Sequence, residues 1–173
     1  MNKLPTATRT LHGKAYPPPK KDIEKLKLLG ACEEAIKYLE NFRSLRDAWQ
    51  KCHRGDWMLW YAGKMSGGSK SKSRKLLVLA ACKCARLALK YVPKKEKLPL
   101  KTIQTAEKWA TGKISVSLEN VRAAADAADA AGAAYADAAA YAAAYAAAHA
   151  DAKTKILKKC ADTVRKFYPQ PPK

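Results

Sequence analysis

The sequence predicts an all-α protein: a helical bundle with a long alanine-rich C-terminal helix over about residues 118–167, bent near Gly132 if it is not straight. Three observations carry this. Residues 123–152 contain 21 alanines in 30, and alanine is the strongest helix former because it loses no side-chain entropy and buries no polar group. Wound at 100° per residue, the interruptions sort into strips: Asp126, Asp129, Asp137 and Asp151 on one side, and Tyr141, Tyr145 and His149 on another. Elsewhere, apolar residues recur at three- and four-residue spacing.

Residues 1–21 hold Pro5, Pro17, Pro18 and Pro19 with Lys20 and Lys21, and read as an extended basic arm. One helical domain is expected over 22–168, with 169–173 as a tail. Helical periodicity begins near Asp22. Ala31, Cys32, Ala35, Ile36, Leu39 and Phe42 share one face, and Glu33, Glu34, Lys37 and Glu40 take the other. Ser44 with Asp47 three residues later resembles a capping box, opening a short helix with Leu45, Ala48, Trp49 and Cys52 inward. Asp56 then suits an N-cap for Trp57 to Ala62, with Gly63 as the stop.

Residues 63–75 (GKMSGGSKSKSRK) offer almost nothing to bury and read as a flexible basic loop. Leu76 to Tyr91 follows as a mostly apolar helix whose charged stripe is Lys83, Arg86 and Lys90, so it belongs at the centre of the bundle. Pro99 fits the first turn of the next helix, which ends near Ala110. The last helix starts near Ser117 or Leu118. Past Ala152 its phase continues, with Ile156, Leu157, Cys160, Val164 and Phe167 inward. Lys155, Lys158, Lys159, Asp162, Arg165 and Lys166 face outward. A straight rod of that length would span about 75 Å, so it projects, bends or pairs with another chain.

Composition bounds the function. Thirty-four Lys and Arg against 15 Asp and Glu give a formal charge of +19. That excess favours polyanionic partners: an acidic protein, an anionic nucleotide, nucleic acid or anionic lipid. It also serves simple solubility. No apolar run reaches the length of a membrane span, and residues 1–20 lack a signal-peptide core, so a cytoplasmic protein is expected. Five cysteines, with Cys82 and Cys84 about 200° apart on a helix, read as buried thiols rather than as disulfides or a metal site. No nucleotide-binding glycine loop, metal-ligand pair or nucleophile triad is present, so neither enzymatic activity nor a cofactor is expected.

Several constellations remain. Trp49, Trp57, Trp60 and Tyr61 surround Arg54-Gly55-Asp56, where the aromatics could stack on a planar ligand while His53 and Arg54 reach an anion. The same tryptophans could equally fill a helix corner. Glu107 falls on an apolar face with Leu100, Ile103, Ala106 and Ala110, so it needs a partner, with Arg54 or Arg86 the candidates. A structural ion pair accounts for it better than a catalytic acid. Tyr141, Tyr145 and His149 form a polar-tipped ridge that suits a ligand groove, a dimer seam or plain helix spacing, and the Ala/Gly side suits self-association. Residues 64–101 hold twelve Lys or Arg and one acid, and 153–173 hold seven against Asp162. If the central helix packs beside the C-terminal turns, Lys83, Arg86, Lys90, Lys155, Lys158 and Lys159 form one phosphate-binding patch. Otherwise they are a solvated face.

Several segments resemble the Imm-5-like immunity proteins of bacterial and phage genomes. They are Ala31-Cys32-Glu33-Glu34-Ala35, LRDAWQKCHRGDWMLW from Leu45, AACKCARLALKYVPKK from Ala80, PLKTIQTAEKWA from Pro99 and KCADTVRKFY from Lys159. The resemblance covers about residues 28–170. It implies a protein that binds and neutralises a toxin or defence effector without chemistry of its own, and it assigns no functional residue. The expected activity is sequestration of an acidic partner, either an effector protein or an anionic nucleotide signal. A nucleic-acid-associated protein and a self-assembling helical protein are the alternatives.

Overall fold

The computed structural model describes residues 10–11, 14–15, 17–68, 70–91, 97–112, 117, 119–123 and 154–173. The fold is all-α. Among the described residues the only other regular structure is a two-residue ladder, with Thr10 opposite Ala15 and Leu11 opposite Lys14. The chain divides into two compact units, Met1–Lys51 and Cys52–Lys173.

In the first unit, helix α1 spans Lys20–Leu28. Lys20 and Lys21 therefore belong to the helix rather than to the arm. Pro18 and Pro19 stand immediately before it, where a missing amide hydrogen costs nothing, and Ile23 N donates to Pro19 O at 3.0 Å. Gly30 ends the run with φ of +82°, a conformation open to glycine, and α2 follows over Glu33–Leu39. Leu26 and Leu39 form the buried face. Cys32, expected inward, is exposed. It sits at the N-cap of α2 with an extended backbone, so the helical phase does not aim its side chain. Helix α3 covers Leu45–Lys51, with Ala48 and Trp49 buried. Ser44 Oγ accepts from Asp47 N at 3.1 Å, and Asp22 Oδ2 accepts from Leu45 N at 2.7 Å, so two side chains satisfy orphan amides of α3.

In the second unit, α4 spans Gly55–Met65, α5 spans Lys72–Ala88 and continues as a 3-10 turn over Leu89–Tyr91, and α6 spans Leu98–Ala110. Residues 119–123 and 154–167 are also helical. Two boundaries differ from expectation. Asp56 is inside the first turn of α4 and binds Arg54 rather than capping, and Gly63 lies within the helix. Residues 72–75 are the first turn of α5, not loop. Ser71 Oγ accepts from Arg74 N at 3.1 Å, and Lys and Arg are good helix formers even with nothing to bury. The connection before it is cross-braced, since Arg74 Nε donates to Gly67 O at 3.1 Å. Pro99 occupies the first turn of α6 as its fixed φ favours.

Helix α5 packs against α4 and α6. The terminal helix, 154–167, lies against it as well. Cys84 Sγ donates to Cys160 O at 3.7 Å and Cys160 Sγ donates back to Cys84 O at 3.9 Å. Gly55 permits the close approach of α4: a Cβ there would meet Cys160 Cβ at 2.4 Å and the backbone nitrogen of Ala161 at 2.6 Å. Ala161 and Val164 are 0% exposed, and burying a valine side chain contributes about 2 kcal/mol. Tyr168 closes the end, its hydroxyl donating to Ser73 O at 3.3 Å.

The helical phase of 154–167 follows the sequence pattern with one departure. Cys160 and Val164 are buried, while Lys155, Lys158, Lys159, Asp162 and Lys166 are exposed. Arg165 turns inward instead: its side chain is 17% exposed, Nη1 donates to Cys52 O at 2.9 Å and Nη2 to Asp162 Oδ1 at 2.7 Å. A long aliphatic stem buries readily when its charged tip finds acceptors. The alanine tract between 124 and 153 lies outside the described residues. The Gly132 bend, the aspartate strip, and Tyr141, Tyr145 and His149 therefore receive no structural account.

Candidate functional site

The C-terminal end of α5 and the first turns of the terminal helix enclose a cleft of about 330 Å³. Arg86, Leu87 and Lys90 line it from one side, and Lys155, Ile156 and Lys159 from the other. Each side is a four-residue step along a helix, so both cations of a pair fall on one face. Four of the six cations singled out from the sequence thus converge. Lys83 and Lys158 are exposed but do not line the cleft. Lys90, Lys155 and Lys159 are exposed too, so the cleft opens to water, and no acidic residue among the described residues lines it. Leu87 and Ile156 supply an apolar floor that the sequence reading did not assign to a site, although Ile156 was placed on the inward phase.

Arg86 is fixed from behind. Its Nε donates to Glu107 Oε1 at 2.8 Å and its Nη2 to Glu107 Oε2 at 2.6 Å, a two-point ion pair between α5 and α6. Of the two candidate partners for Glu107, Arg86 is the one it meets. The hydrogen bonds from Arg86 hold the Glu107 carboxyl below the usual carboxylate range, with partial burial opposing and nearby Lys83 reinforcing them. The Nη1 amino group of Arg86 takes no part in this pair. Glu107 also borders a shallower hollow of about 390 Å³ with Gln104, Lys108 and Thr111.

The aromatic group on α4 is organised differently. Arg54 Nε and Nη2 grip Asp56 at 2.9 and 2.6 Å, while the guanidinium lies 4.2 Å from the centroid of the Trp57 ring. Burial opposes ionisation of Asp56, but the Arg54 hydrogen bonds and charge outweigh it and lower its pKa. Lys64 Nζ is 5.6 Å from the Trp60 ring centroid. Trp57 and Trp60 are half-buried and His53 is exposed. Arg54, at the N-cap of α4, thus has a carboxylate partner two residues away in the first turn of that helix.

Cys52, Cys82, Cys84 and Cys160 are buried. Burial, with the charge of Glu107, pushes the Cys82 thiol up to about 11, and burial beside Cys160 pushes Cys84 up to about 12. Both are protonated at neutral pH and poor nucleophiles. Among the described residues no three His, Cys, Asp or Glu side chains are placed to hold a metal ion, and no helix is long and apolar enough to cross a membrane.

The family described as Imm-5 like putative immunity protein matches residues 68–160, a segment that begins just before α5 and includes all six residues lining the cleft. No curated protein and no solved structure matches the chain.

Proposed function

This chain belongs to the Imm-5-like immunity protein family, and on that premise we propose that it is a non-enzymatic binding protein that sequesters an acidic partner at the cleft of Arg86, Lys90, Lys155 and Lys159. The partner is a toxin or defence effector, or an anionic nucleotide signal. One observation carries the reading: two cationic stripes about seventy residues apart in sequence meet over one apolar floor, inside the family segment. A merely solvated basic surface has no need to converge, since like charges repel. Binding by preplaced cations requires no nucleophile, which agrees with thiols held protonated.

Affinity capture from host cells tests it. Wild-type protein is expected to retain an acidic protein or a nucleotide in moderate salt, and Lys155→Glu/Lys159→Glu to lose it while folding normally. Capture of bulk nucleic acid alone, falling steeply with salt, overturns the reading in favour of a nucleic-acid-associated protein.

A further inference from the structure

We infer that Cys84 and Cys160 are a modification site: a hydroperoxide joins them in a disulfide that staples the terminal helix to α5. The inference does not depend on what the cleft binds. Three observations point to it. The contact is reciprocal, with Cys84 Sγ 3.7 Å from Cys160 O and Cys160 Sγ 3.9 Å from Cys84 O, and the two thiols also hydrogen-bond each other. Each sulfur thus reaches the other residue's backbone, which is the close approach that the short span of a disulfide demands. The seat is also fixed. A Cβ on Gly55 would meet Cys160 Cβ at 2.4 Å, so residue 160 is held by α4 as well as by α5 and its sulfur stays opposite Cys84. Finally, the neighbouring thiols are engaged elsewhere. Cys82 Sγ donates to Ile103 O on α6 at 3.8 Å, and Cys52 Sγ donates to Arg54 O at 3.6 Å.

The two thiols differ in chemistry. Burial beside Cys160 pushes Cys84 up to about 12. Burial and the charge of Asp56 raise Cys160 as well, but the hydrogen bond from Cys84 draws it back. Cys160 therefore ionises first and is the nucleophile, while Cys84 keeps its proton. Its thiolate attacks one peroxide oxygen, so an S–O bond forms, the O–O bond breaks and hydroxide leaves, taking up the proton Cys160 released. Cys84 Sγ then attacks the Cys160 sulfenic sulfur; the S–S bond forms, the S–O bond breaks and water leaves with the Cys84 proton. The two thiols lose two electrons, and hydrogen peroxide becomes two waters. Because both residues are buried, the reaction waits on local opening of the helix pair and suits a small oxidant. The bond ties residues 76 apart in sequence, a long loop whose closure restricts the unfolded chain. Cys160 adjoins Lys159 and Cys84 lies two residues before Arg86, so the same bond pins both walls of the cleft.

The test uses the full chain in a Cys32→Ser background, which removes the exposed thiol. Native protein is incubated with hydrogen peroxide, its remaining thiols are alkylated, and peptides are mapped by mass spectrometry without reduction. The expected product is one intramolecular link between Cys84 and Cys160, with the unfolding midpoint raised by roughly 5 °C or more and restored by dithiothreitol. Added Cys82→Ala should preserve both the link and the rise, whereas added Cys160→Ala should abolish both. Should Cys160→Ala fail to fold, the peptide map of the parent protein still identifies the partners. A link through Cys52 or Cys82, a sulfinic acid at Cys160 with Cys84 left free, or linkage only after denaturant is added overturns the inference.

Discussion

Two arginines separate the molecule's two cationic regions. Arg54 on the edge of α4 binds Asp56, two residues away, and stacks on Trp57. Arg86 binds Glu107, twenty-one residues away on another helix, and borders a cleft shared with Lys90, Lys155 and Lys159. Local sequence alone keeps Arg54 near its carboxylate, and that proximity persists in the unfolded chain. The Arg86 pair exists only when α5 and α6 are docked. A tertiary partner fixes the direction of Arg86 relative to a second helix, whereas a local one fixes Arg54 only relative to the end of α4.

Breaking the docking itself should have the largest effect. Gly55→Ala places a methyl on the backbone of residues 160 and 161, neither of which can move aside cheaply, and should cost about 3 kcal/mol or more. Chemical denaturation measures this. A variant of unchanged stability would mean that the terminal helix is not held against α4 as described. The contrast between the arginines comes next. Arg86→Lys should cost about 1–2 kcal/mol, having lost a two-point charged hydrogen bond, whereas Arg54→Lys should cost less than about 0.5 kcal/mol. Equal losses would erase the distinction.

The smallest effect is a pH dependence. Glu107 has its pKa lowered in the folded chain, so its contribution is fully present above the ordinary carboxylate pKa and is lost as pH falls through the lower folded value. Thermal unfolding from pH 6 downward should therefore decline less steeply in Glu107→Gln than in wild type. The effect is modest, since the Arg86 and Glu107 side chains remain 36% and 21% exposed. An unchanged slope would show that the pair adds nothing to acid sensitivity.

Much of the helical pattern could be read from sequence because it is local. Pro99 and Ala110 bracket α6 as expected, Ser44 caps α3, and Cys160 and Val164 keep the inward phase. What escaped depends on distant groups or on backbone freedom. Asp22 caps α3 from twenty-three residues away. Gly30 divides α1 from α2 because it adopts positive φ, yet a glycine between two periodic runs can also continue a helix. Residues 72–75 carry no burial signal, so their composition suggested a loop, whereas Ser71 and helix propensity decide the matter. The two lysine and arginine stripes of the cleft were visible as four-residue steps. That they face each other follows from Gly55, Cys84 and Cys160, whose close contacts no periodicity encodes.

The tight seat beneath Gly55 has a consequence for how this protein can vary. Residues 160 and 161 fix the rotational setting of the last helix, and each residue of a helix advances 100°. A single-residue insertion between Lys159 and Cys160 would swing Lys155 and Lys159 a quarter-turn or more off their target, with every core contact beyond it intact. The cleft would then lose both lysines in one step rather than gradually, and a return to register would need a compensating deletion in the same short interval.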